Sequence, residues 1–64
     1  MQVMELDLSS NKLATLHNID QFRHLVTLRL SHNSISVLSE LGYLKGLEQL
    51  EQLWIEGNPF KEDN

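Results

Sequence analysis

The chain has 64 residues, 41 % of them apolar, no cysteine, and a net charge of −4 from five Lys plus Arg against nine Asp plus Glu. A chain this short buries only about 60 % of its unfolded surface and makes one small domain; without cysteine it has no disulfide, no thiolate metal site and no cysteine nucleophile. The negative charge argues against direct nucleic-acid binding, and Met1-Gln2-Val3-Met4-Glu5 has neither the basic nor the apolar stretch of a leader, so we expect an intracellular chain, cytoplasmic or nuclear, with no membrane contact.

The first predicted element is a strand at Leu6-Asp7-Leu8, where apolar residues alternate as on a sheet with one buried face. Asn11 follows, and the apolar period then changes to three through Leu13, Leu16, Ile19, Phe22 and Leu25. A step of three keeps one face on a 3₁₀ coil but would wind around an α-helix. The second strand, Leu28-Arg29-Leu30, repeats the first at an offset of 22 and is followed by Asn33. The three-residue period resumes from Ile35 through Leu38, Leu41, Leu44, Leu47 and Leu50 to Leu53. The third strand, Leu53-Trp54-Ile55, stands 25 residues after the second and leads to Asn58. The triplet Leu-Glu-Gln occurs twice in succession, at 47–49 and 50–52, and accounts for the longer offset. Val3, Leu25 and Leu50 each precede their strand by three residues, so L-x-x-L-x-L-x-x-N-x-L occurs three times, Phe60 taking the last place in the third copy.

That pattern resembles the leucine-rich repeat family, and the resemblance covers almost the whole chain. It implies an α/β solenoid: a three-stranded parallel sheet on the concave face, 3₁₀ or irregular turns on the convex face, and a leucine core between. The repeat units run about 3–24, 25–49 and 50–64. The short unit is similar to the intracellular subclass found in phosphatase regulatory subunits, tubulin-folding cofactors, a dynein light chain and mRNA-processing proteins. Gly57-Asn58-Pro59-Phe60 resembles the close of a last repeat, but no capping unit precedes Val3 or follows Phe60. Either a segment of a longer array or an unusual small protein is therefore expected, with self-association through open solenoid ends.

The recurring Asn11, Asn33 and Asn58 form a structural asparagine ladder, each amide able to satisfy backbone groups where the strand turns away. His17, His24 and His32 have no acidic or sulfur partner at a ligand spacing and read as surface residues, so no metal or cofactor is expected. The serines lack a base or a glycine elbow, and no catalytic residue is assigned. Leu44, Leu47, Leu50, Leu53 and Ile55 fit a loose nuclear-export pattern, but they read as buried framework.

Stacking the strands in register places Asp7, Arg29 and Trp54 in one outward row and Glu5, Thr27 and Gln52 in a parallel one, with His32 and Glu56 toward the turn. These eight residues are the candidate partner-binding face. Within it, Asp7 and Arg29 could form an exposed ion pair worth ~0 to 1 kcal/mol. Arg29 could also lie over Trp54, which is worth ~0.5 to 1 kcal/mol.

The function read from this is a non-enzymatic protein-interaction module, with a protein partner of unknown identity. Glu40-Leu41-Gly42-Tyr43-Leu44-Lys45-Gly46-Leu47, followed by Leu50-Glu51-Gln52-Leu53-Trp54-Ile55-Glu56-Gly57-Asn58, is also similar to the last repeat of nuclear mRNA export receptors, including its Lys-Gly-Leu and its Leu-Trp, so a segment of an mRNA-processing or export factor is the alternative. A scaffolding part of an enzyme subunit is a third reading.

Overall fold

The computed structural model describes residues 2–61; residues 62–64 of the third unit lie outside it. Three strands, β1 (Glu5–Asp7), β2 (Thr27–Arg29) and β3 (Gln52–Trp54), form one parallel sheet in the order β1-β2-β3. Glu5, Thr27 and Gln52 share one register position, as do Leu6, Leu28 and Leu53, and then Asp7, Arg29 and Trp54. Backbone pairing runs past the strand ends, with Leu8 N–H donating to Arg29 O at 2.8 Å and Leu30 N–H to Trp54 O at 2.7 Å.

Behind the sheet the three-residue apolar period becomes three-residue turns. The 3₁₀ helices are Ile19–Gln21 and Leu38–Gly46. The N–H of Phe22 donates to Ile19 O at 3.2 Å, that of Leu25 to Phe22 O at 3.1 Å, and that of Leu50 to Leu47 O at 3.1 Å. Each apolar side chain thus returns to the same side, as 3₁₀ stepping requires.

The core lies between these layers and is driest in the middle. Leu25, Leu28, Leu30 and Ile35 are wholly buried, with Leu16, Ile19 and Leu47 beside them. Burying a leucine of this kind contributes about 1.5–3 kcal/mol. The expectation of a uniformly buried framework fails at the third strand, where Leu53 remains 39 % exposed. Its register with Leu6 and Leu28 sets it at their position on the sheet, but β3 is an edge strand and Leu53 is not among the residues packed on the core. Leu38 is equally exposed at the start of its 3₁₀ helix. After β3 the chain pairs back onto the second unit: Lys61 N–H donates to Ser36 O at 2.9 Å, and Val37 and Lys61 form a parallel bridge.

Candidate functional site

The exposed side of the sheet is held in shape by its asparagines. Asn33 Oδ1 accepts from Leu13 N–H at 3.1 Å, and its amide donates to Leu8 O and Leu30 O, both at 2.9 Å. Asn58 repeats this one strand later, accepting from Ile35 N–H at 3.2 Å and donating to Leu30 O at 2.8 Å and Ile55 O at 2.9 Å. Asn11 donates to Leu8 O at 2.8 Å and Ser9 O at 3.3 Å, within its own turn. The amides therefore satisfy backbone groups both within a turn and between neighbouring turns.

The residue before each asparagine turn is left-handed: Ser10 and His32 have φ of 58° and Gly57 of 80°. Only Gly57 is of the type that adopts this without cost. The His32 ring packs directly over its α-carbon, where a methyl group would overlap the imidazole. This shared backbone corner escaped the sequence reading, and Gly57 was the one signal for it.

On the face itself, the central row runs Asp7, Arg29, Trp54. The Arg29 guanidinium carbon lies 5.9 Å from the Trp54 ring centroid, and the indole is 44 % exposed. The expected ion pair between Asp7 and Arg29 gives way to other contacts: Asp7 Oδ1 accepts from Ser9 N–H at 2.9 Å while the guanidinium is spent on the indole. Interactions with Ser9, side chain first and backbone N–H next, hold the Asp7 carboxyl below its ordinary pKa, and Arg29 adds a weaker pull.

The parallel row departs from expectation at Thr27. Its neighbours Glu5 and Gln52 are exposed, but Thr27, between them on the central strand and donating its hydroxyl to Gln52 Oε1 at 3.2 Å, is only 6 % exposed and offers a partner little surface. Toward the turn, the buried Ser31 hydroxyl donates to Glu56 Oε1 at 2.5 Å. That bond, followed by Glu56's own backbone N–H and a weaker effect of His32, lowers the Glu56 pKa. His32 is exposed. The face is a half-ordered polar surface in which two carboxylates, one guanidinium and one indole are oriented.

The opposite side carries one further oriented carboxylate that the sequence did not reveal. Glu40 Oε1 accepts from Leu16 N–H and from the Thr15 hydroxyl, both at 2.7 Å, and these two contacts, the backbone one larger, lower its pKa. His17 meets Tyr43 edge-on, with centroids 5.9 Å apart. Among the described residues, no three His, Asp or Glu side chains converge as metal ligands, and no helix is long and apolar enough to cross a membrane.

Comparison with known proteins adds the family context. The family model of the NXF1/2/3/5 leucine-rich repeat domain matches residues 1–63. The chain is 43 % identical over 54 residues to human cilia- and flagella-associated protein 410, covering 84 % of this chain and 21 % of that protein. It is 40 % identical over 62 residues to human nuclear RNA export factor 2, covering 91 % and 10 %. To the human volume-regulated anion channel subunit LRRC8E it is 42 % identical over 59 residues, covering 88 % and 7 %. The chain thus spans at most 21 % of the length of these relatives. No solved structure matches it.

Proposed function

The chain belongs to the leucine-rich repeat family, and from that premise we propose that it is a protein-interaction module that takes its partner on the exposed face of the three strands. In this reading the three repeat units, the last as far as Lys61, are successive turns of a right-handed solenoid, with the strands on the concave side.

The row Asp7, Arg29, Trp54 carries the proposal. Trp and Arg are enriched among interface hot spots, and here the two side chains support one another on a rigid sheet. A half-exposed indole braced by a guanidinium offers a partner a large flat contact at little entropic cost. Glu5, Gln52, His32 and Glu56 surround it as exposed polar groups, and Asn11, Asn33 and Asn58 keep the strand ends in place. The test is capture of a partner by the wild-type chain set against Trp54→Ala and against Lys45→Ala on the opposite side. Loss of capture with the second variant and not the first sinks the proposal.

The resemblance to nuclear RNA export factor 2 and the match to the NXF-type domain favour a second reading, a segment of an RNA export factor. With a net charge of −4, that segment too would meet a protein rather than bind RNA directly. The uncovered Leu53 and Leu38 favour contact with a further layer of the same kind, through self-association or a neighbouring repeat.

A further inference from the structure

We propose that the exposed strand face selects a basic partner, an extended segment that carries Arg or Lys side chains beside an apolar or aromatic one; this rests on the face being the binding surface. Trp54 is the anchor, and the charges around it choose the occupant. Glu5 and Asp7 stand two apart on β1 and so project to the same side of the sheet, while Glu56 follows β3 with its carboxylate fixed by the Ser31 hydroxyl. Against these three carboxylates the strands hold one cation, Arg29, whose guanidinium already lies over the indole. The remaining basic residues are off these rows: Lys45 is in the 3₁₀ helix, Lys61 bridges to Val37, Arg23 lines clefts beside Val3 and Glu48, and Lys12 follows the asparagine turn.

An acidic segment laid across these strands would meet uncompensated like charge, and so would a nucleic-acid backbone; a basic one would find three carboxylates, two of them, Asp7 and Glu56, already oriented. Asp7 and Trp54 are two strands apart in one row, so with a strand spacing of about 4.8 Å their backbones are separated by roughly 10 Å. An extended peptide rises about 3.3 Å per residue. Side chains of an extended segment alternate, so a cation and an apolar residue two or four positions apart, roughly 7 or 13 Å, project to the same side; these spacings bracket that separation, and the length of an Arg or Lys side chain makes up the difference between the β1 carboxylates and the indole.

Trp54 is the sole tryptophan, so its fluorescence reports occupancy of the face. The full chain is titrated with a short peptide of arginines interspersed with leucine, with the same peptide carrying Glu for Arg, and with oligouridylate. We expect saturable binding of the basic peptide only, weakening with added salt. Glu5→Gln should lower affinity about threefold, and Glu48→Gln, the same charge change off the face, should leave it unaltered. Equal loss in both variants means that the peptide responds to net charge alone, and the proposal falls. It falls equally if the acidic peptide or the oligouridylate binds as tightly as the basic one. Binding of the acidic peptide that Trp54→Ala abolishes would overturn the charge selection yet keep the face as a binding surface, whereas partner capture indifferent to Trp54 and Arg29 would remove the face itself.

Discussion

Asn33 ties Leu13 to the turn that follows it in space: its Oδ1 accepts the Leu13 N–H at 3.1 Å while its amide donates to carbonyls of both turns. Truncating a buried group with several partners leaves those partners unsatisfied, at about 1–3 kcal/mol for each that water cannot reach. Asn33→Ala should destabilise by at least ~2 kcal/mol, and the exposed Asn11→Ala by under ~1 kcal/mol, in denaturant unfolding. Equal losses would mean that the bonds between turns contribute nothing beyond those within a turn.

Leu30, wholly buried, and Leu53, 39 % exposed, hold the same chemistry at different depths. Leu30→Ala should cost ~2–5 kcal/mol, a large share of the stability of so small a domain. Leu53→Ala should cost less than half as much. Thermal melts of the two variants decide it, and a Leu30→Ala melt matching wild type would contradict the packing described.

The His32 ring covers the α-carbon of Gly57, whose φ is 80°. Gly57→Ala should therefore destabilise twice over, through the overlap and through a left-handed backbone that costs a residue with a β-carbon about 1–2 kcal/mol. Adding His32→Ala to that variant should recover the first part and leave the second. A double-mutant cycle measures this, and additivity of the two changes would show that the ring and the corner are independent.

Glu40, Glu56 and Asp7 all have lowered pKa values, from hydrogen bonds to Leu16 and Thr15, to Ser31, and to Ser9 respectively. A carboxylate with a folded-state pKa below its unfolded one contributes stability above the unfolded value, and that stability fades as pH falls through the folded value. The part of the melting temperature that these carboxylates supply should thus decline as pH falls below about 4.3. Glu40→Gln should make the decline shallower; an unchanged pH profile would show that Glu40 is not among its sources.

On the strand face, Trp54→Ala and Arg29→Ala should each weaken partner binding by more than ~1 kcal/mol with the fold intact. Asp20→Ala and Lys45→Ala, in the 3₁₀ helices, should not. Calorimetric titration with a captured partner, alongside circular dichroism, separates binding from folding.

The strands and the three-residue turns were legible because both are carried by side-chain periodicity, which a linear sequence displays directly. Leu6 over Leu28 over Leu53 needed only the repeat to be aligned. Contacts that depend on a rotamer or on a distant partner were not legible. Nothing local marks Glu40 as the acceptor for a backbone N–H 24 residues away, or the Thr27 hydroxyl as turned toward Gln52. Asp7 was expected to face Arg29, the nearest opposite charge in its row, but Ser9 lies closer along the chain and needs no long side chain to be immobilised. The exposure of Leu53 reflects its place at the sheet edge, which its alternation with Ile55 cannot report.

The strands stay in register although the chain takes 22 residues from Glu5 to Thr27 and 25 from Thr27 to Gln52. The surplus is one triplet, taken up behind the sheet, where six three-residue steps run from Ile35 to Leu53 against five from Leu13 to Leu28. Front and back are thereby insulated in length. Adding or deleting one whole triplet behind the sheet reseats every later leucine on the same side, whereas a single-residue insertion rotates them all out of place. Such a chain can drift in length by threes while the surface its strands display stays constant.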